Sequence, residues 1–469
     1  MEFESMDDCF PTAQDDSEIT CNVTSTHGPV APTTLNREPC GSSPLSISTA
    51  SIAAITAPFQ NGRFGTISGH YGRSLQKCLS SSVTLPAVAA TTGAIAWSGY
   101  LATIPLSLIA PLLVYCAKSR THAFSIMFCY YSAATWPVIP GARAFFGDQG
   151  TPLIGLFLCL TAATLLALPW GLLFMRGQGK AALYVPLCVV IAATPPLGVI
   201  GWASPLLSAG VLFPGSKWLG LGFIIVFLSL VRFMPGLSAV SLALCALVFQ
   251  LRYTSPQLPT GWEAVNTNYG GTGQGDPDFA TEYTTYQSIQ TTILESHAAV
   301  LLFPEHLIPH WNESTEAFWG DTLTSLAAQH RTVLIGAGIN QPGTSRNPFQ
   351  QNRYLNVLFA RGEEDTAIYQ ERIPVPIGMW KPLGDDGVPL NLFVRGTMHI
   401  HSQNAAVLIC YEQILVWPFL SSALDHPTIL LTTSNDYWAK GTRIPAIQQS
   451  NVTSWARLFC LPLLSARNL

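Results

Sequence analysis

Five long apolar blocks between residues 83 and 250 constrain this chain more than any other feature. A helix packed on a soluble core keeps a polar face for water, and these blocks offer almost none. Residues 83–117 are apolar but broken by Pro86, Pro105 and Pro111, long enough for one tilted helix or a hairpin of two short ones. Residues 123–146 are interrupted by Pro137 and Pro140. Residues 152–175 form the clearest span, closed by Arg176 and Lys180. Residues 181–204 are broken at Pro195 and Pro196, and residues 218–250 carry one charge, Arg232. The last block reads as two short passes, or as one pass with a re-entrant piece.

Composition agrees. Hydrophobic residues make up 48% and charged residues 11%, against the roughly 25% charged of ordinary globular domains, and the mean hydropathy is +0.31. The chain therefore reads as a tail (1–82), a multi-span α-helical membrane domain (83–250) and a soluble domain (251–469). The tail is rich in Ser, Thr, Pro and Gly, a composition expected to stay disordered. No charged n-region with an apolar core opens the chain, so no cleavable signal peptide is expected. Lys118, Arg120, Arg176 and Lys180 flank spans and belong on the cytoplasmic side. Arg232 fits a loop better than lipid. If residues 218–250 cross twice, the soluble domain lies on the outer face; if once, in the cytoplasm.

The net charge of −4 comes without a Lys/Arg run, so direct nucleic-acid binding has no electrostatic support. Eleven cysteines lack CxxC or Cys/His spacing, which argues neither a metal site nor a disulfide framework. Cys116, Cys129, Cys159, Cys188 and Cys245 sit in apolar stretches, while Cys9, Cys21, Cys40 and Cys78 lie in the tail. The sequons at Asn22, Asn312 and Asn451 read as chance.

Residues 251–469 read as α/β, with strand candidates at 298–303, 332–337, 405–409 and 428–432. Such runs, apolar on both faces, suit sheets covered by helices. Two of them lead into polar residues at the carboxyl end of a strand, where α/β folds hold ligands. One leads to Pro304 and Glu305, the other to Cys410, Tyr411 and Glu412. A thiol becomes nucleophilic when a base takes its proton, and Glu305 is the natural partner. Core packing alone would explain a cysteine there, and a solvated loop would explain the glutamate. His306 and His310 lack a third ligand, and His399 and His401 alternate as on an exposed strand face. Trp417, Trp438 and Trp455 are expected to pack or gate. Gly336, Ala337 and Gly338 read as a turn too short for a dinucleotide site.

Leu302-Phe303-Pro304-Glu305 resembles the nitrilase-superfamily segment that carries the catalytic glutamate, and Leu408-Ile409-Cys410-Tyr411-Glu412 the one that carries its cysteine. The apolar region ahead of them looks like the apolipoprotein N-acyltransferase branch. The segments 93–99, 195–202, 372–380 and 435–438 resemble TraB-type conjugal transfer proteins. The resemblance implies a four-layer αββα sandwich in which Glu305 is the base and Cys410 forms a thioester, with no cofactor or metal. The N–H of Tyr411 would help the oxyanion, and Glu412 would stand behind the reacting groups. The superfamily lysine is missing: Glu371 occupies its place, leaving Arg372 and Lys381 as candidate oxyanion support. Met379 stands where the acyltransferase branch carries a glutamate. After Asn468 the superfamily continues through further strands, so either a truncated chain or an incomplete sandwich is expected. The implied setting is the bacterial inner membrane, multi-pass, with the soluble domain on the periplasmic face and with lipids and conjugation-apparatus proteins as partners. Implied functions are an amide hydrolase or acyltransferase, an apolipoprotein N-acyltransferase, or a non-catalytic accessory protein.

Overall fold

The computed structural model describes residues 82–469 except 148–150, 271–278, 342–352 and 385. The disorder expected of the tail concerns residues that, apart from Ser82, lie outside the described ones.

The apolar part is helical. α1 spans Thr84–Ala96, and a 3-10 helix, Leu101–Leu108, runs into α2, Ile109–Val114. The first block is thus built of short pieces packed on one another, with Pro105 inside the 3-10 turn. α3 (Arg120–Thr135) and α4 (Val138–Phe145) are separated at Pro137, which cannot supply the N–H that a continuous helix needs. α5 (Pro152–Leu172) is capped by Thr151, whose hydroxyl accepts from the N–H of Ile154 at 3.4 Å, with Pro152 opening the first turn. α6 (Gln178–Ala193) stops ahead of Pro195 and Pro196. A short α7 (Ser208–Leu212) follows, then α8 (Trp218–Leu230) and α9 (Pro235–Arg252). Residues 218–250 are therefore two helices, with Arg232 in the turn between them. Among the described residues, α5 and α9 are the two helices long and apolar enough to cross a membrane by length and composition; α1, α6, α8 and residues 101–114 are apolar but shorter. No residue of α9 is buried.

The rest is a sandwich. The first sheet has the order β1-β2-β3-β4-β5 and the second β6-β7-β8-β9. β1 (Trp262–Ala264), β2 (Val300–Leu302) and β3 (Thr332–Asn340) are parallel; β4 (Tyr354–Gly362) and β5 (Ile368–Gln370) continue antiparallel. β6 (Thr397–Ile400) pairs antiparallel with β7 (Gln403–Ile409), which runs parallel to β8 (Ile429–Asn435), itself parallel to β9 (Leu463–Asn468). Successive side chains on a strand face opposite ways, and both faces here are covered. Val300, Leu302, Val407 and Ile409 share the core between the sheets. Leu301 and Phe303 face the outer helices α10 (Phe279–Glu295) and α11 (Glu313–Ala328). Ala406 and Leu408 face α12 (Trp417–Ala423) and α13 (Ile444–Phe459).

The last run forms β9, and Asn468 also bridges to Thr267. One expectation changes here. Gly336, Ala337 and Gly338, expected as a turn, lie inside β3. The error came from reading glycine as a chain reversal where it serves close approach. A Cβ on Gly336 would sit 2.3 Å from the Pro304 carbonyl oxygen and 2.6 Å from the Cα of Glu305.

The apolar helices pack directly on the second sheet's helix layer, in one continuous core. α13 is the joint. Ser450 Oγ donates to the Gly99 carbonyl at 2.6 Å, and Ser454 Oγ donates to that of Leu207 at 2.6 Å. A Cβ on Gly210 would lie 1.9 Å from the Ser454 carbonyl oxygen, so α7 can approach α13 only with glycine at that position.

Candidate active site

The carboxyl ends of β2, β7 and β8 converge on one buried acidic cluster. Past β2 the chain runs through Phe303 and Pro304 to Glu305, which is 4% exposed. One carboxyl oxygen of Glu305 accepts from Asn356 Nδ2 at 2.7 Å, the other from the backbone N–H of Asn435 at 2.9 Å. Burial pushes the carboxyl up to about 7, against those hydrogen bonds, which favour the anion.

Cys410 directly follows β7 and has φ +43°, a left-handed conformation that costs a non-glycine residue on the order of 1–3 kcal/mol. The surrounding structure holds it there. Glu412 reaches back to accept from the Ile409 N–H at 3.0 Å, and Gln448 Nε2 donates to the Cys410 carbonyl at 3.1 Å. The turn places the thiol near the Glu305 carboxyl. Burial, followed by the nearby Glu305, Asp436 and Glu371 carboxyls, pushes the thiol well above its usual range. The resting residue is therefore a thiol, and its proton has a ready acceptor in Glu305.

Glu371 is fully buried beside this pair. Asn356 Nδ2, already bonded to Glu305, also donates to Glu371 Oε2 at 2.9 Å. Burial, Glu305 and Glu412 push the Glu371 carboxyl well above the carboxylate range, with Asn356 acting in the opposite sense.

Arg372 and Lys381, the candidate oxyanion cations, are placed elsewhere. The guanidinium of Arg372 bonds Glu412 at 3.3 Å, the Tyr369 hydroxyl at 2.8 Å, Ser421 Oγ at 2.8 Å and Ser422 Oγ at 3.1 Å. These contacts hold it away from Glu371, and the Pro418 carbonyl takes a further donor at 3.0 Å. Lys381 pairs with Asp386, and its side chain is 36% exposed. Glu412 organises the far side: besides Ile409 and Arg372 Nε it accepts from the Tyr369 hydroxyl at 2.7 Å and from Arg372 N–H at 3.0 Å. The N–H of Tyr411 lies in the first turn of the 3-10 helix Cys410–Ile414, where N–H groups lack an intrahelical acceptor. Its hydroxyl donates to the Val199 carbonyl at 3.1 Å, tying the cysteine turn to the apolar region.

Asn356 and Gln448 went unnoticed in the sequence. Asn356 had a signal, an amide inside the otherwise apolar strand Tyr354–Gly362. Gln448 had none, because only the fold brings α13 over the cysteine. Among the described residues no group of three or more His, Cys, Asp or Glu side chains is arranged to hold a metal.

A cavity of about 160 Å³ reaches Cys410. It is lined by Cys410, Tyr411, Val375 and Trp438, and by Phe145 of α4 and Leu158 of α5. Trp438 packs edge-on against Phe145, ring centroids 5.3 Å apart.

No protein-family model matches the chain. Among solved structures, the amidase of the nitrilase superfamily from Nesterenkonia sp. AN1 is similar over 44% of this chain and 76% of its own, at 11% identity and a TM-score of 0.30. The chain is 31% identical over 396 residues to the conjugal transfer protein TraB of Agrobacterium fabrum, covering 80% of this chain and 90% of that one. It is 30% identical over 388 residues to the probable conjugal transfer protein TraB of Sinorhizobium fredii, covering 80% and 95%. The sequence likeness spans both the apolar helices and the sandwich, and the chain belongs to the TraB family of conjugal transfer proteins.

Proposed function

We propose that this chain is a membrane-embedded thiol acyltransferase or amide hydrolase serving conjugal transfer, with Cys410 carrying the acyl group as a thioester. One observation carries the reading. Cys410, after β7, lines an apolar cavity together with residues of α4 and α5, the latter long and apolar enough to cross a membrane. A polar amide would gain little from such a lining, whereas an acyl chain gains about 0.8 kcal/mol per buried methylene. In the reaction, the Cys410 proton passes to Glu305 as sulfur attacks the acyl carbonyl. The tetrahedral oxyanion forms near the Tyr411 N–H, and collapse expels the leaving group with the proton from Glu305.

The setting we propose is the bacterial inner membrane. Residues 218–252, with α9 long enough to cross by itself, α8 a shorter apolar partner and Arg232 in the turn between them, are read here as a double crossing. With Arg176 and Lys180 inside, that arrangement puts residues 251–469 on the periplasmic face.

The test uses the full chain in detergent and a series of p-nitrophenyl esters from acetate to decanoate. Acyl-enzyme formation is expected as a burst of p-nitrophenolate, with kcat/KM rising about threefold to fourfold per methylene until the cavity is filled. Cys410→Ala removes the burst. A burst that survives that change, or a flat response to chain length, would defeat the reading. A non-catalytic accessory role has one observation in its favour, the glutamate in the lysine position. It predicts no burst with any ester.

A further inference from the structure

We propose that Glu371 is a catalytic residue: a neutral carboxylic acid whose hydroxyl donates a hydrogen bond to the oxyanion formed at Cys410. The inference rests on the thioester reading above and assigns the place left by the missing lysine.

The argument is one of hydrogen-bond accounting. Glu371 is 0% exposed, and Asn356 is the partner of its Oε2. Its Oε1 is buried and has no hydrogen-bond partner among the described residues. An ionised carboxylate could not persist there with one neutral donor and an empty oxygen, because burying an unpaired charge costs far more than protonating it. The groups that face it offer no compensation. Glu305 comes from the end of β2, Glu412 from the end of β7, and Asn356 and Tyr354 from β4. Arg372, adjacent in sequence, is bound to Glu412, Tyr369, Ser421 and Ser422. Burial and the neighbouring carboxyls thus hold Glu371 protonated, as the direction of its shift agrees.

The position of the proton follows. Asn356 donates to Oε2, so the acid hydroxyl belongs on Oε1, the oxygen that lacks a partner. Asn356 bridges both acids through one amide nitrogen, with Glu305 Oε1 at 2.7 Å and Glu371 Oε2 at 2.9 Å. Glu371 also lies near Cys410. The two acids therefore divide the work: Glu305 gives up its proton near neutrality and serves as base, while Glu371 keeps its proton. As sulfur attacks, the S–C bond forms and the carbonyl π pair moves to oxygen. Glu371 donates a hydrogen bond to that oxygen without transferring its proton, and the bond weakens again when the carbonyl re-forms.

The experiment compares two reactions at Cys410 in the full chain: acylation by p-nitrophenyl octanoate, which passes through an oxyanion, and alkylation by iodoacetamide, which does not. Glu371→Gln keeps a neutral hydrogen-bond donor of nearly the same shape and is expected to hold acylation within about threefold to tenfold of wild type. Glu371→Leu is expected to lose acylation on the order of a hundredfold to a thousandfold, with alkylation changed by less than about threefold. Infrared difference spectra between wild type and Glu371→Gln at pH 7 are expected to show the carbonyl stretch of one protonated carboxylic acid. Equal loss of acylation and alkylation in Glu371→Leu would mean a packing role and overturn the proposal. So would a carboxylate band, or full acylation in Glu371→Leu. A wild type that alkylates at Cys410 but never acylates defeats the thioester reading and this one together; acylation unaffected by Glu371→Leu defeats this one alone.

Discussion

Glu371 and Arg372 are neighbours in sequence, and each sits in a fully buried polar cluster, yet the two clusters are opposites. Around Arg372 the charges are matched: the guanidinium meets Glu412, with Tyr369, Ser421 and Ser422 taking its other donors. Around Glu371 there are two further acids, Glu305 and Cys410, a bridging amide and no cation among the described side chains that bond to it. A matched cluster holds structure. An unmatched one keeps protons ready to move, at a cost in stability that folding alone would not retain. On the proposed reading, the chemistry belongs to the Glu371 side and the scaffold to the Arg372 side.

The comparison can be broken or sharpened by experiment, and the largest effect is expected at Arg372. Arg372→Met leaves Glu412 buried without its cation, a loss of about 3–5 kcal/mol. A drop in melting temperature too small for such a loss, measured in detergent, would show that the cluster is not a scaffold. Glu371→Gln, by contrast, removes no pairing and should leave the melting temperature within a few degrees of wild type.

The acid side should reveal itself through pH. The Glu305 carboxyl is held up at about 7 in the fold, above its ordinary value, so the native state binds a proton that the unfolded chain has already released. Its contribution is complete below the ordinary carboxylate range and is lost as pH rises through about 7. Over that window stability should fall by about 1.4 kcal/mol per pH unit for this group. Glu305→Gln should flatten the slope in chemical denaturation between pH 5 and 8. The same titration should appear as a rise in Cys410 alkylation near neutrality, absent in Glu305→Gln.

Asn356→Leu removes the donor shared by both acids, worth about 1–3 kcal/mol. Glu305 should then titrate higher, and the alkylation profile should move to higher pH. An unmoved profile would sever the link between the two carboxyls. The smallest effect is expected at Lys381. Its partly exposed pair with Asp386 is worth about 0–1 kcal/mol, and Lys381→Ala should leave acylation unchanged. A large loss there would return Lys381 to the oxyanion site.

Much of the fold was legible because periodicity and burial are local signals. The apolar runs ending near Phe303 and Ile409 predicted strands covered on both faces, and their alternate side chains do divide between two cores. Prolines marked where the helices stop, at Pro137 and ahead of Pro195. Gly336 misled, because glycine serves a turn and a close approach equally well, and only the position of Pro304 and Glu305 distinguishes them. Asn356 was readable as an amide in an apolar strand, but its two partners lie on segments far from it in sequence.

By itself, the sequence determined the residue types: a glutamate and a cysteine at the ends of buried strands, and a glutamate where a lysine was expected. Tertiary structure decided the protonation states, because these depend on what each carboxyl meets after burial. Glu371 meets Asn356 and the Glu305 carboxyl, with its own Oε1 left without a partner among the described residues, while Glu412 claims the nearby cation. It also decided that Cys410 lines an apolar space, since part of that cavity's lining comes from helices more than two hundred residues upstream. Electrostatics and shape act through space, and the chain order carries neither.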